Sequence, residues 1–345
     1  MLAHPAAPEV ACPRASRCRD DRTETNDGGA VPDGRLLAVS DLHVGITENR
    51  STLDALRPTG PDDWLIVAGD VAERVRDVEA TLRFLTGRFA KVLWTPGNHE
   101  LWSTADEQSE LAAPARYRLL VERCRALGVA TPEDPYPVWY GPDGPYAVAP
   151  VFTLYDYSWR VPGVTDKQQS LARAHENGVV CTDEYRIDPA PHPAVDDWCR
   201  ERVAATERAL AAHDPGLPLV LASHWPLDRR PTDVLRYPDF AQWCGTELTA
   251  DWHRRFNVAA VVYGHLHIPR TTWYDGVRFE EVSLGYPREW RRRGHPRGLL
   301  RQVLPYPGPA EQPVPPPPPA DAKPDAKPSS KPDAKPGSTS GAKPA

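Results

Sequence analysis

Apolar residues along the middle of the chain gather in short runs, and each run stops abruptly in polar side chains. The runs are RLLAVS (35–40), WLIVAG (64–69), VLW (92–94), LPLVLAS (217–223) and VAAVVYG (258–264). They are rich in Val, Leu and Ile and do not alternate, so they predict strands buried on both faces. Two longer stretches repeat apolar residues at helical spacing. Residues 71–89 align Val71, Val75, Val78, Leu82 and Leu85, and residues 194–213 align Val195, Trp198, Val203 and Leu210. Both stretches predict amphipathic helices. Residues 270–285 read as a hairpin, with Asp275-Gly276 as the turn between two β-prone runs. Strands alternating with helices predict an α/β layered fold containing a mixed sheet.

Composition fixes the limits of that fold. The chain has 345 residues, 40% hydrophobic and 26% charged, with a net charge of -6. That supports a globular core and gives no general attraction to nucleic acid or to an anionic membrane. Residues 1–33 lack periodicity and predict a disordered N-terminal segment. Residues 306–345 are rich in Pro, Ala and Lys, with PPPPP at 315–319 and DAKP repeats from Asp321, Asp325 and Asp333. This predicts a solvated, disordered tail, with a weak proline-motif partner as its functional alternative. The folded domain is then 34–305. No apolar run spans a bilayer, and the first residues lack the pattern of a secretory leader. Cys12, Cys18, Cys124, Cys181, Cys199 and Cys244 are scattered and read as free thiols, which together place the protein in the cytoplasm.

The strand ends carry the chemistry. The first run ends in Asp41-Leu42-His43, the second in Asp70 and the third in Asn98-His99-Glu100. The fourth ends in His224 and the fifth in His265-Leu266-His267. Open α/β sheets place their sites at this carboxyl edge. Asp, Asn and His donors suit Mn, Fe or Zn. They are too many for one tetrahedral zinc and suit two ions sharing a carboxylate. Gly69, Gly97 and Gly264 directly precede ligand-type residues, where a sharp turn or close backbone approach is needed.

The ordered set D-x-H, G-D, G-N-H-E, H and G-H-x-H resembles the calcineurin-like metallophosphoesterases over about residues 35–304. The resemblance implies a four-layer sandwich of two mixed β-sheets flanked by α-helices. It implies one transition-metal ion on Asp41, His43, Asp70 and His267, and a second on Asp70, Asn98, His224 and His265, with Asp70 bridging. His99 would protonate the leaving group, and Glu100 would orient His99. The chemistry agrees: two metal ions activate a water and neutralise phosphoryl charge, while an imidazole titrating near neutral pH supplies a proton.

Substrate is less legible. The stretch Gly69-Asp70-Val71-Ala72-Glu73-Arg74 departs from the G-D-x-V-D-R-G of Ser/Thr protein phosphatases, which argues against that branch. A small phosphomonoester or phosphodiester is the expected substrate. A nuclease is the alternative, with the basic stretch 288–301 as its phosphate-binding patch, although the net charge weighs against nucleic acid. A partner-binding scaffold using the proline-rich tail is a further alternative. Residues 153–189 read as a lid or specificity loop. Tyr155, Asp156, Trp225 and Arg288 are the candidate substrate contacts, with Trp225 placed at the mouth of the site.

Overall fold

The computed structural model describes residues 34–103, 111–293 and 298–308. The expected disorder of 1–33, and of the tail beyond 308, lies outside the described residues. Among the described residues ten strands occur in the order β1 (Leu36–Val39), β2 (Trp64–Val67), β3 (Lys91–Trp94), β4 (Val138–Gly141) and β5 (Gly144–Pro150), followed by β6 (Leu219–Ala222), β7 (Val258–Tyr263), β8 (Arg270–Tyr274), β9 (Val277–Glu281) and β10 (Arg301–Leu304). They form a four-stranded sheet, β10-β1-β2-β3, and a six-stranded sheet, β4-β5-β6-β7-β9-β8. All five apolar runs are strands. Both sheets are mixed: β10 runs antiparallel to β1, whereas β1, β2 and β3 are parallel, and β4 and β8 are antiparallel edges on a parallel centre.

The continuous apolar runs follow from burial on two sides. Leu36, Ala38, Ile66 and Leu93 of the first sheet share a core layer with Val148, Val220, Ala222, Ala260 and Val262 of the second. Leu37, Val39, Leu65, Val67 and Trp94 face the other way, into the core that includes Val78, Leu82 and Leu85. Fully burying each Leu, Ile or Val among them contributes about 1.5–3 kcal/mol. With both faces apolar, alternation alone does not set the register. The polar residues that follow each strand do, since a slip would bury an unpaired carboxylate or imidazole.

The expected helices run from Val75–Thr86 and Val195–Ala211. The first begins four residues later than its apolar pattern suggests, because Asp70–Arg74 forms the turn that serves the site. The predicted hairpin is β8–β9, with Asp275 and Gly276 both at positive φ (52° and 81°), as a primed turn requires. The sequence gives no sign of strand β10, which starts at Arg301, the last residue of the basic stretch, and pairs with β1 across more than 260 residues of chain (Ala38 with Arg301, Leu36 with Leu304). Tyr306, the first residue of the expected tail, still packs under the Arg278 guanidinium at 4.0 Å.

One junction matters for function. Ser40, just after β1, bridges Ser283, just after β9, and so joins the two sheets at their carboxyl edges. Its amide donates to Val282 (3.0 Å) and its carbonyl accepts from Leu284 (2.9 Å). Asp41 is thereby held against the end of β7.

A candidate dinuclear metal centre

All seven ligand candidates converge at this junction. His267 Nε2 lies 3.0 Å from Asp41 Oδ1 and 3.3 Å from His43 Nε2. His224 Nε2 and His265 Nδ1 each lie 3.1 Å from Asn98 Oδ1, and 3.2 Å from one another. Asp70 Oδ2 sits between the two groups, 3.8 Å from His43 Nε2 and 3.5 Å from His224 Nε2. The Asp41–His43–His267 and Asp41–Asp70–His224 sets each bring one donor atom per residue within 4.8 Å of the others.

The backbone is bent to achieve this. Asp41, His43, Asp70, His265 and His267 all adopt positive φ, between 41° and 69°. Such conformations cost on the order of 1 kcal/mol or more each and gather where a site demands them. Two glycines leave the room. A Cβ on Gly97 would stand 2.1 Å from Asp70 Oδ1, and one on Gly264 would stand 2.1 Å from Ser40 Oγ and 2.3 Å from Asp41 Oδ2.

The groups behind the ligands aim their donor atoms. His224 Nδ1 donates to the Ala68 carbonyl at 2.9 Å, which turns Nε2 towards Asp70. His267 Nδ1 meets Glu289 at 2.7 Å and presents Nε2 to Asp41. Asn98 Nδ2 donates to Asp183 at 2.9 Å, so its oxygen faces His224 and His265. Trp102 Nε1 donates to the same carboxylate oxygen at 2.7 Å.

The donor set fits metal ions. Ring nitrogens point at ring nitrogens and at an amide oxygen, with fewer protons available than close contacts to share them. Burial pushes the His43 and His265 imidazoles well below their usual range and brings His224 to about 4, so their lone pairs are available. Burial, and then the charges of Glu100 and Asp41, push the Asp70 carboxyl well above its usual range. A buried carboxylate beside two others calls for a cation. Burial alone would depress His267, but Asp41 and Glu289 raise it well above the usual range.

His99 stands beside these groups, with Nε2 3.8 Å from Asp70 Oδ2. Its ring is 3.7 Å from that of Trp102, and the Tyr286 hydroxyl is 3.4 Å from Nε2. The carboxylate that holds it is not Glu100. Glu73 Oε1 meets His99 Nδ1 at 3.1 Å, and that contact holds the Glu73 carboxyl below its usual range. Glu100 instead accepts the amides of Asp70 (2.9 Å), Val71 (2.7 Å) and Gly97 (2.9 Å). The physical reason is the 3-10 turn His99–Leu101, where successive side chains point about 120° apart. Arg116, fully buried, donates to the carbonyls of both Glu100 and Glu73 and ties the two loops together.

Three of the four proposed substrate contacts lie away from the mouth. Tyr155 and Trp225 are fully buried, Trp225 with its ring edge-on to His224 at 5.0 Å, so it backs the ligands. Asp156 accepts from Thr246 Oγ1 at 2.8 Å and lines no part of the cavity. Residues 153–189, read as a lid or specificity loop, are in part packed into the core. They contain the helices Lys167–Glu176 and Asp183–Arg186 and bury Leu154, Tyr157 and Trp159, and their contribution to the site is Asp183 behind Asn98. Arg288 alone of the four lines the cavity.

That cavity, about 440 Å³, opens over Asp70, Asn98, His99, His265 and His267. One wall is formed by Leu235, Phe240, Leu266 and Ile268; Arg236, Tyr237, Tyr286 and Arg288 complete it. Residues 235–240 lack periodicity and gave no signal in the sequence. Among the described residues of the basic stretch, Arg293 donates to the carbonyls of His267 (3.0 Å) and Leu284 (2.5 Å), and Arg291 pairs with Glu48.

A family model of calcineurin-like phosphoesterases matches residues 34–269. The chain belongs to this family. It is a hydrolase of phosphoesters, of a family that works with divalent metals, and its clustered Asp and His residues supply candidate ligands. It is 55% identical over 279 residues to the [acyl-carrier-protein] phosphodiesterase PptH of Mycobacterium tuberculosis, an alignment covering 81% of this chain and 85% of that one. The crystal structure of phosphopantetheinyl hydrolase (PptH) from Mycobacterium tuberculosis superimposes with a TM-score of 0.78, at 55% identity, covering 80% of this chain and 97% of that one. Among the described residues, no helix is long and apolar enough to cross a membrane.

Proposed function

We propose that this protein hydrolyses the phosphodiester joining a phosphopantetheinyl arm to a carrier protein, in the cytoplasm, with two transition-metal ions (Mn, Fe or Zn). The observation that carries the reading is the convergence of Asp41, His43, Asp70, Asn98, His224, His265 and His267 in a chain 55% identical to a phosphopantetheinyl hydrolase. The carrier-borne diester replaces the small free ester that the sequence suggested.

Asp41, His43, Asp70 and His267 would hold one ion, and Asp70, Asn98, His224 and His265 the other. When bound, the ions supply nucleophile activation and neutralise the charge of the phosphoryl group. The protein's own residues do the rest. His99 gives the leaving oxygen a proton from Nε2, because Nδ1 is engaged by Glu73. The Glu73 carboxylate fixes the ring and stabilises the imidazolium before transfer. Trp102 closes one face of the ring against water. Glu100 and Arg116 hold the backbone from which Asp70, Glu73 and His99 project.

The test is incubation of the metal-reconstituted protein with a phosphopantetheinylated carrier protein, followed by mass spectrometry of the intact carrier. Loss of the arm together with its phosphate supports the reading. Metal-replete protein that cleaves a nitrophenyl diester but leaves every such carrier intact removes it.

A further inference from the structure

The cavity is larger than a phosphoryl group needs, and its wall and rim differ in character. Leu235, Phe240 and Ile268 give the cavity an apolar lining that it shares with His265 and His267, the Phe240 ring stacked on that of His265 at 6.0 Å. At the rim, Arg236 is exposed, lies 5.5 Å over the Tyr237 ring and forms no ion pair among the described residues. Arg288 is 54% exposed and lies over the Tyr286 ring at 5.8 Å. Val234 (42%) and Tyr237 (39%) are large exposed apolar residues in the same segment. Exposed Tyr and Arg beside apolar surface is the composition of protein interfaces. Arg236 and Arg288 bring positive charge to the rim of a chain that carries -6 overall; Glu289, 4.0 Å from Arg288, turns its other oxygen to His267 at 2.7 Å and leaves Arg236 as the unpaired cation of the two among the described residues.

We infer that this rim, Val234, Arg236, Tyr237 and Arg288, is the docking surface for an acidic face of the carrier protein, while the carrier's arm lies along the Leu235–Phe240–Ile268 wall. The inference rests on the proposed reaction. A substrate tethered to a protein brings that protein to the mouth of the cavity, and the arm must fill the space between the mouth and the ligands. Arginines at the mouth then select a partner whose attachment site is ringed by carboxylates. Such steering acts on encounter and is screened by salt.

The experiment compares two substrates, a phosphopantetheinylated carrier protein and bis(4-nitrophenyl) phosphate, with wild type, R236E, the double variant R236E/R288E, and R236K. The double variant is expected to lose about ten-fold or more in kcat/KM on the carrier, chiefly through KM. Its loss on the small diester should be at least five-fold smaller. R236K should recover most of the carrier activity. Raising the salt concentration should depress wild-type kcat/KM on the carrier and flatten in the double variant. Equal losses on both substrates would overturn the inference by placing the arginines on the phosphoryl group. Carrier kinetics unmoved by R236E/R288E would overturn it by leaving the rim without a partner. Wild type that cleaves the small diester but no carrier overturns the reaction itself, a result read without any variant.

Discussion

Two clusters in this protein look alike by residue type and behave differently. One is the convergence of Asp41, Asp70 and His224 with their neighbours; the other is Asp228, His253 and Asp275. Each offers two carboxylates and an imidazole with donor atoms within 4.8 Å. The second already holds its cation. Arg230 reaches both Asp228 Oδ2 and Asp275 Oδ2 at 2.6 Å, and His253 Nε2 meets Asp275 at 2.8 Å. In the first, no arginine or lysine forms an ion pair with Asp41 or Asp70 among the described residues; the positive partners nearby are imidazoles, three of which burial keeps neutral. Donor type therefore says little about metal binding. What decides it is whether the protein supplies its own counter-charge.

The comparison breaks most visibly at Asp70. Asp70→Asn should remove the shared charge, lower the bound metal to one ion or none, and reduce kcat/KM on any ester by about 10³-fold or more. Elemental analysis and a nitrophenyl diester assay check this. A variant that keeps two ions and normal activity would place the centre elsewhere. Chelation should likewise abolish turnover, and Mn, Fe or Zn should restore it, while Asp228→Asn should leave the metal content unchanged.

A smaller effect separates the two carboxylates around His99. Glu73→Gln should cost about 10- to 100-fold in kcat, more for poor leaving groups than for nitrophenolate. Glu100→Gln leaves His99 with its Glu73 contact, so its loss should be independent of the leaving group. It should appear instead as a lower melting temperature, because three amides lose an anionic acceptor. Equal leaving-group sensitivity in both variants would return the orienting role to Glu100.

This pair shows what the sequence does and does not make legible. The ligands were readable because each follows a strand, and strand order brings strand ends to one edge. Gly97 and Gly264 were readable as close-approach positions for the same reason. Glu73 carried a local signal: it keeps a carboxylate where the protein phosphatase pattern G-D-x-V-D-R-G has Asp. Ala72 in place of Val and Glu73 in place of Asp break the pattern letter by letter while the charge beside the site is kept. Glu100 adjoins His99 in sequence, but a 3-10 turn sends neighbours in different directions. Asp183, Tyr286 and the 235–240 wall reach the site across long stretches of chain, from segments without hydrophobic period. Trp225 follows a ligand and was placed at the mouth, yet a residue next to an inward-facing ligand on a buried strand end points into the core behind it. Strand β10 pairs with β1 from the far end of the domain, and its four residues, Arg301–Leu304, are too short a run behind the basic stretch to read as a strand.

The second cluster offers the gentlest test. Arg230→Met should leave Asp228, which is buried, facing Asp275 without a cation, and cost about 1 kcal/mol after allowance for the solvent at Arg230. Metal content and activity at the first centre should not change. The pH dependence gives the sharper reading. The hydrogen bond from Arg230, then that from His253, holds the Asp275 carboxyl at about 2, below the ordinary value of about 3.9 for an unfolded chain. A depressed folded value means stability that is fully present above the unfolded value and is lost as pH falls towards 2. Urea midpoints measured from pH 5 downwards should therefore fall more steeply in wild type than in Arg230→Met, and the two curves should approach each other at the acid end. Parallel curves would mean that Arg230 does not hold Asp275 ionised, and the counter-charge account of why this cluster needs no metal would fail.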